Sequence, residues 1–367
     1  MFDAFIQDQS ALRRLSSRLR DESWIAIDTE FVRERTYYAQ LCLIQIATPM
    51  EVICIDPLAV DDLDPLLDAI YTPQILKVFH SARQDLEVFH DLRATPPAPV
   101  FDTQIAAALT GYEDQIGYAA LVESLLDVRL AKLHTRTDWS ARSLSQEQLR
   151  YAEDDVRYLP DLYAHLNEKL VQLGRSDWLA EECERLTQAD LYRNDPEQAY
   201  VRIKRGRTLS PPNQNVLRVL AAWRERTAQR HNRPRNWILR DAVLVELARD
   251  PPKSRKQLEE VEGLSKGTAK KWSPVILEMI RDALGAPAVA LWLQPQRLNR
   301  EQSALRRHMV KLVETRGREL GITPALLATR KDIKALVLGE TNGVLLTGWR
   351  RRVVGEKLLA MLKDASS

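Results

Sequence analysis

The sequence predicts an α/β or α+β domain with a mixed sheet in roughly the first 200 residues, followed by two all-α domains. Three observations support this prediction. Runs rich in β-forming residues come first, helical spacing of apolar residues follows, and the last third of the chain shows helical spacing throughout. Strands followed by helices indicate a sheet flanked by helices, and 367 residues suffice for two or three domains.

Four apolar runs near the start of the chain are predicted to be strands. They span 24–31 (WIAIDTEF), 38–47, 52–56 and 75–80, and turn-forming residues separate them. The fourth run leads directly into a helical pattern. Predicted helices, with apolar residues every three to four positions, span 81–90, 103–109, 118–126, 145–159 and 162–173.

The second part of the chain divides into similar helical segments. Residues 201–212 (VRIKRGRTLSPP) are basic and end in a turn signal, which indicates a linker. Two segments follow at about 214–284 and 295–362, and each passes through a proline-containing turn before an aspartate. These pairs, Pro234 with Asp241 and Pro324 with Asp332, indicate a diverged tandem repeat. The predicted domains are 1–207, 208–288 and 289–367.

Charge is distributed unevenly along the chain. Residues 1–200 contain 19 Lys and Arg against 35 Asp and Glu, whereas residues 201–367 contain 34 against 16. A basic region of this size usually marks an anionic partner, most often nucleic acid. A solvated helical surface is the alternative, since Lys and Arg favour helices whatever their function.

Composition excludes several other classes of protein. No apolar stretch approaches the roughly 18 residues that a membrane span needs, and the N-terminus lacks the apolar run of a signal peptide. The three cysteines, Cys42, Cys54 and Cys183, form no CxxC pair, which argues against a disulfide framework or a zinc site. We therefore expect a cytoplasmic protein with no membrane partner.

Four carboxylates and a tyrosine form the candidate catalytic site. Asp28 and Glu30 lie two apart on a predicted strand, so their side chains leave the same face. Asp85 lies in the first turns of the helix after the fourth strand, where functional groups of α/β sheets usually lie. Tyr151 and Asp155 are four apart on a predicted helix and therefore share one face.

Each of these features has an ordinary structural explanation when it is taken alone. The strand end could emerge into solvent, Asp85 could interact with the helix dipole, and Tyr151 could be a core residue on an acidic helix. Together, four carboxylates would repel a phosphodiester unless two divalent cations neutralised them. The set predicts a two-metal site in which Tyr151, with an unperturbed pKa of about 10, orients water. Glu153 and Asp154 should face solvent.

Three segments carry a family resemblance. WIAIDTEF, HSARQDLEVF and YAEDDVRYL resemble, in order and in character, the exonuclease motifs of the DEDD superfamily, and the tyrosine resembles its DEDDy branch. The stretch TDWSARSLSQEQLRYAEDDVRYL is similar over its whole length to the ribonuclease D family. LAAWRERTAQRHNRPRNWILRDAVLVELA resembles the helical HRDC domain, and residues 295–362 resemble a diverged copy with Ile322-Thr-Pro324 in place of Asn232-x-Pro234.

The resemblance implies a ribonuclease H-like exonuclease domain followed by two HRDC-like domains. It implies that two Mg²⁺ or Mn²⁺ ions are held by Asp28, Glu30, Asp85 and Asp155, and that Tyr151 positions the water. The implied activity is hydrolysis of RNA from the 3′ end with release of nucleoside 5′-monophosphates. The implied partners are tRNA precursors and other structured RNAs with single-stranded 3′ ends.

Some alternatives remain open from the sequence. The chain could be a DNA 3′-5′ exonuclease, because such a metal site attacks a phosphodiester irrespective of the sugar, or an inactive RNA-binding protein. Six residues are candidate substrate contacts. Phe31 could stack on a base, Trp139 and Arg142 are placed near the site by family likeness, and the basic residues Lys204, Arg205 and Arg207 could hold phosphates. Core packing of the aromatic residues and a solvated linker are the competing explanations.

Overall fold

The computed structural model describes residues 5–130, 137–288, 290–292 and 296–365. The chain divides into two compact units. The first comprises Met1–Val32, Leu41–Leu191 and Gln296–Ser367, and the second comprises Arg33–Gln40 and Tyr192–Pro295. The predicted domain boundaries after residues 207 and 288 stay predictions, and residue 289, where the third domain is predicted to begin, lies outside the described residues.

The first unit contains a six-stranded sheet in the order β1-β4-β3-β2-β5-β6. Its strands are β1 (Phe5–Ile6), β2 (Trp24–Val32), β3 (Gln40–Ala47), β4 (Val52–Ile55), β5 (Leu76–Phe79) and β6 (Val100–Asp102). Strand β5 pairs in parallel with β2 and β6, whereas β3 pairs antiparallel with β4. The prediction of a mixed sheet is confirmed, and the four predicted strands lie within two residues of the observed ones.

Among the described residues up to 191, eight helices belong to the same unit as this sheet. They are α1 (Gln9–Leu19), α2 (Asp64–Ile70), α3 (Arg83–Arg93), α4 (Thr103–Thr110), α5 (Tyr118–Leu126), α6 (Gln146–Arg157), α7 (Leu159–Leu173) and α8 (Ser176–Leu186). Helix α1 begins where the Asp8 carboxylate accepts hydrogen bonds from the backbone N–H groups of Ser10 and Ala11, at 3.0 and 2.9 Å. Helices α6 and α7 meet at Tyr158, and a proline in the first turn of α7 suits a helix start.

The second unit is helical. Its helices are α9 (Pro211–Arg230), α10 (Arg235–Ile238), α11 (Asp241–Arg249), α12 (Arg255–Glu259) and α13 (Lys266–Gly285). The prediction of a linker at 201–212 was wrong, because most of this segment forms 3-10 turns at Pro196–Arg202 and Lys204–Thr208. Ile203, Gly206 and Leu209 are buried at the three-residue spacing of that helix. A Cβ on Gly206 would lie 2.2 Å from a methyl group of Leu217, so a larger residue here would force that side chain to move.

The C-terminal segment belongs to the first unit. Its helices are α14 (Arg300–Leu320), α15 (Pro324–Leu327), α16 (Arg330–Val337), α17 (Gly348–Arg350) and α18 (Glu356–Asp364), with a π-helical turn at Arg351–Gly355. Met309, Trp349 and Leu358 share one continuous apolar core with residues of α4 and α7. The rings of Trp178 and Trp349 stack with centroids 4.4 Å apart. The segment therefore completes the core of the unit that contains the sheet.

No helix in the described part of the chain combines the length and the apolar character that crossing a membrane requires.

Candidate active site

Strand β2 and helix α6 bring three predicted carboxylates together. Asp28 and Glu30 leave the same face of β2, as alternation along a strand predicts. Helix α6 packs against β2 and carries Asp155. One carboxylate oxygen from each of the three residues lies within 4.8 Å of the other two. Oxygens at this spacing can bind one cation in common.

Asp85 lies in the first turn of α3 and is buried. Its carboxylate accepts a 2.6 Å hydrogen bond from the hydroxyl of Thr29, the residue between Asp28 and Glu30. The negative charge of Asp85 raises the pKa of both neighbouring carboxyl groups on β2, which places all four acids in one electrostatic cluster. The sequence did not indicate a role for Thr29, because a threonine in a strand is ordinary.

Burial raises the pKa values of the four carboxyl groups, and neighbouring negative charges add to the shifts. Burial is the largest cause at each position, and it raises the pKa of Glu30 to about 8 and those of Asp85 and Asp155 to about 7. The pKa of Asp28 is also raised well above its ordinary value by burial and by the other three charges. Among the described residues, no Lys or Arg forms an ion pair with any of the four.

This donor set fits divalent cations. Several hard oxygen donors lie close together, and their repulsion is relieved most directly by a positive charge. Asp28, Glu30 and Asp155 could hold one ion through the oxygens that converge, and Asp85 could contribute to a second.

Tyr151 lies one turn before Asp155 on α6 and is half-buried. Its ring stacks on that of Trp139, with centroids 6.3 Å apart and planes inclined by 29°. Burial, together with the charges of Asp155 and Glu30, raises the pKa of Tyr151 to about 12. The hydroxyl therefore keeps its proton at neutral pH, so Tyr151 can orient a water molecule but is a poor base.

Arg142 is held by protein acceptors. One terminal nitrogen donates to the Asp56 carboxylate at 2.7 Å and to the Cys42 carbonyl at 2.8 Å. The other donates to the carbonyls of Trp139 and Ala141, both at 2.8 Å. These bonds give Arg142 a structural role in holding the loop that carries Trp139. Contact of either residue with substrate stays a prediction, and Trp139 is only 5% exposed.

The other predicted substrate contacts lie in two places. Phe31 follows Glu30 on β2 and is half-buried. Lys204, Arg205 and Arg207 belong to the second unit, where they are exposed on a 3-10 turn. Within the described chain these three cations form no ion pair with a carboxylate. Their contact with substrate stays a prediction.

The expectation that Glu153 and Asp154 face solvent is met by Asp154, whereas Glu153 is partly buried. Their side chains are 21% and 42% exposed, and both form ion pairs with Arg157 at 2.8 and 2.9 Å. The charge of Asp154 also contributes to the raised pKa of Asp155. Arg157, the ion-pair partner of Glu153 and Asp154, lies on the exposed surface of α6.

Comparison with known proteins assigns the family. Residues 4–171 match a family of 3′-5′ exonuclease domains, and residues 213–280 match the HRDC domain. Ribonuclease D of Gluconacetobacter diazotrophicus is 43% identical over 352 residues, which cover 95% of this chain and 89% of that protein. Ribonuclease D of Zymomonas mobilis is 40% identical over 374 residues, which cover 98% of this chain and 93% of that protein. The chain belongs to the ribonuclease D family.

A solved structure of the ribonuclease D family extends this result to the fold. The crystal structure of Escherichia coli RNase D, described as an exoribonuclease involved in structured RNA processing, matches with a TM-score of 0.86. The two chains are 32% identical, and 98% of each is covered. The predictions of an exonuclease domain with a mixed sheet and of a following HRDC domain are confirmed.

Membership of the ribonuclease D family also settles the class of activity. The chain is an enzyme, a 3′-5′ exoribonuclease, and the exonuclease domain of this family implies divalent metal ions. The acidic cluster of Asp28, Glu30 and Asp155 fits that requirement. Exoribonuclease activity is favoured over the two alternatives, a DNA exonuclease and an inactive RNA-binding protein.

Proposed function

We propose that the enzyme uses two Mg²⁺ or Mn²⁺ ions to remove nucleoside 5′-monophosphates one by one from RNA 3′ ends. The proposed metal ligands are Asp28, Glu30, Asp85 and Asp155. The observation that carries this proposal is the convergence of three carboxylate oxygens within 4.8 Å, with Asp85 in the same electrostatic cluster. When bound, two such cations lower the pKa of a water molecule and stabilise the leaving 3′ oxygen.

The residues of the proposed site have different roles. Asp28, Glu30 and Asp155 present oxygens to a common point, while Thr29 fixes the carboxylate of Asp85 at 2.6 Å. Tyr151 keeps its proton at neutral pH and orients the attacking water by a hydrogen bond. Attack at the last phosphodiester places the phosphate on the 5′ side of the released nucleotide and leaves a 3′ hydroxyl on the shortened RNA.

The proposed substrates are tRNA precursors and other structured RNAs with single-stranded 3′ ends. This choice rests on family likeness and on the basic character of residues 201–367. The order of elements in the C-terminal segment supports a second, diverged HRDC-like domain at 289–367. A long helix, a one-turn helix beside a proline and a short helix occur in α14 to α16 as in α9 to α11.

A direct assay tests the proposed function. A 5′-labelled tRNA precursor with a 3′ extension is incubated with the enzyme and Mg²⁺ or Mn²⁺, beside a single-stranded DNA of matched sequence. We expect stepwise shortening of the labelled RNA from its 3′ end, preference for the RNA, and nucleoside 5′-monophosphates when the unlabelled products are separated by chromatography. Undiminished cleavage in excess chelator would contradict the metal mechanism, and equal cleavage of the DNA would contradict the substrate class.

A further inference from the structure

A buried glutamine of strand β3 has no hydrogen-bond partner within the described chain. Gln45 lies between Ile44 and Ile46, and its side chain is fully buried. Neither its amide nitrogen Nε2 nor its amide oxygen Oε1 forms a hydrogen bond with the described residues. Burying an amide in this way costs free energy, because the group loses its bonds to water. Native proteins bury few such groups.

Gln45 lies on the face of the sheet that helix α6 covers. In the antiparallel pairing of β3 with β4 it is directly opposite Cys54, so both side chains leave the same face. Burial raises the pKa of the Cys54 thiol, and the charges of Glu153 and Asp155 raise it further, which places this face beneath α6. Helix α6 packs against both β2 and β4, and β3 lies between them in the sheet. Gln45 is therefore covered by the helix that carries Asp155.

Gln45 and Asp28 extend in the same direction from a shared part of the core. Strands β2 and β3 are neighbours, and residues 33–39 between them are too few for a parallel crossover, so the two strands run antiparallel. Ala26 of β2 and Ala47 of β3 belong to the same apolar core. Asp28 lies two residues after Ala26, and Gln45 lies two residues before Ala47, so each is on the same face as its alanine. This arrangement brings the amide and the carboxylate to the same part of the sheet.

The amide supplies a donor beside a cluster of acceptors. Charged carboxylates only accept hydrogen bonds, whereas the Nε2 group of glutamine carries two donors. A hydrogen bond from an amide to a charged carboxylate is stronger than one between neutral groups. A positive side chain in the same place would repel the cations that the acids are suited to bind. A neutral donor therefore stabilises a metal ligand in its charged form without competing with the metal.

We propose that Gln45 is a positioning residue of the metal site, and that its amide donates a hydrogen bond to the charged Asp28 carboxylate. The proposal rests on the proposed function, which makes Asp28 a metal ligand. Partners in this outer position orient a metal ligand, and their loss typically costs about 10- to 100-fold in metal affinity.

Asp56 is the competing partner for the amide. It follows β4 two residues after Cys54, and its Oδ2 atom is buried without a hydrogen bond to the described residues. Its other carboxylate oxygen accepts the hydrogen bond from Arg142 at 2.7 Å. A bond from Gln45 to Asp56 would give the glutamine a structural role and no part in binding metal.

Metal affinity and metal-free stability separate the two roles. Gln45→Met keeps the length of the side chain and removes its polar atoms. Binding of Mn²⁺ to the full chain, measured by calorimetry without RNA, should weaken by about 10- to 100-fold. In chelator, this variant should have a Tm equal to or higher than that of the parent, because the substitution removes a buried amide that lacks a partner. A glutamine that serves Asp56 would show a lower Tm and an unchanged affinity for Mn²⁺.

Gln214→Met is the matched control. Gln214 is also buried, but its Nε2 donates to the Leu209 carbonyl at 2.9 Å and its Oε1 accepts from the backbone N–H of Leu291 at 2.8 Å. Its replacement should lower the Tm in chelator, because two hydrogen bonds are lost. The affinity for Mn²⁺ should not change, since Gln214 belongs to the second unit and the four acids belong to the first.

Two results would overturn the proposal. They are an unchanged affinity for Mn²⁺ in a folded Gln45→Met variant, or equal losses of that affinity in the Gln45 and Gln214 variants. Circular dichroism checks folding, and Gln45→Leu provides a second apolar replacement if the methionine variant unfolds. Failure of the proposed function would appear separately, because Asp28→Asn would then also keep its full affinity for Mn²⁺.

Discussion

Arg142 and Asp56 form an ion pair of 2.7 Å between residues 86 positions apart in the chain. The Asp56 side chain is fully buried, and Arg142 also donates to the carbonyl of Cys42 on β3. Because Arg142 binds the carbonyl of Trp139 as well, the pair joins the sheet to the loop whose tryptophan stacks on Tyr151. Arg142 is therefore a positioning residue for the tyrosine.

Replacing Arg142 by alanine should lower kcat by about 10- to 100-fold, since small displacements of a positioned group have effects of this size. RNA affinity should change little, because the guanidinium already binds protein acceptors. Steady-state kinetics and RNA binding measure the two effects. Arg129→Ala is the control, as that side chain is 87% exposed. A large loss of affinity with unchanged kcat would instead assign Arg142 to RNA contact.

Loss of an outer partner of a metal ligand typically costs roughly 10- to 100-fold in activity. Asp155→Asn should reduce turnover by more than this, because it removes a proposed metal ligand itself. Its oxygen converges with those of Asp28 and Glu30. Asp154→Asn should stay near the wild-type rate, because Asp154 forms a surface ion pair with Arg157. Hydrolysis of labelled RNA compares the two variants. Equal losses of turnover in the two variants would contradict the assignment of Asp155, but not Asp154, to the proposed metal site.

Tyr151→Phe should lower kcat by about 10- to 100-fold, because the attacking water loses the hydroxyl that orients it. Binding of Mn²⁺, measured by calorimetry, should persist because the phenol is not a carboxylate ligand. A wild-type rate in this variant would remove the hydroxyl from the mechanism.

Thr29→Val should weaken binding of metal ions by about 10- to 100-fold, because it removes an outer partner that orients a metal ligand. The hydroxyl donates to the Asp85 carboxylate at 2.6 Å and also favours its charged form. The dependence of activity on Mn²⁺ concentration measures this effect. Thr29→Ser, which keeps the hydroxyl, should restore most of the affinity, and failure to do so would indicate a packing defect.

The pH dependence of stability without metal follows from the raised pKa values. Folded Asp155 has a pKa of about 7, against about 3.9 in an unfolded chain. Between these values the folded state binds more protons, so the free energy of unfolding falls as pH rises through this window. In chelator, Asp155→Asn should have the higher Tm at pH 8, and its advantage should shrink towards pH 5. A constant difference in Tm across this range would contradict the shift.

The site was predictable because periodicity determines which side chains share a face. Alternation on β2 placed Asp28 with Glu30, and four-residue spacing on α6 placed Tyr151 with Asp155. Contacts between distant residues were not predictable. The ion pair of Arg142 with Asp56 and the hydrogen bond of Thr29 to Asp85 depend on how the segments pack.

The fold was predictable where elements are long. Strands β1 and β6, of two and three residues, are too short to show alternation. The segment at 201–212 resembled a linker because its buried residues are few and spaced by three. Amphipathic spacing in the C-terminal helices showed that one face is buried, but not that this face packs against the core of the first unit.

The position of the C-terminal segment has a consequence for biosynthesis. All five motif residues lie within the first 155 positions, yet the apolar core of the same unit includes Met309, Trp349 and Leu358. A nascent chain that already contains all five motif residues still lacks these apolar side chains. The apolar core of the first unit is therefore complete only after residues 192–295, which form most of the second unit, have also been synthesised.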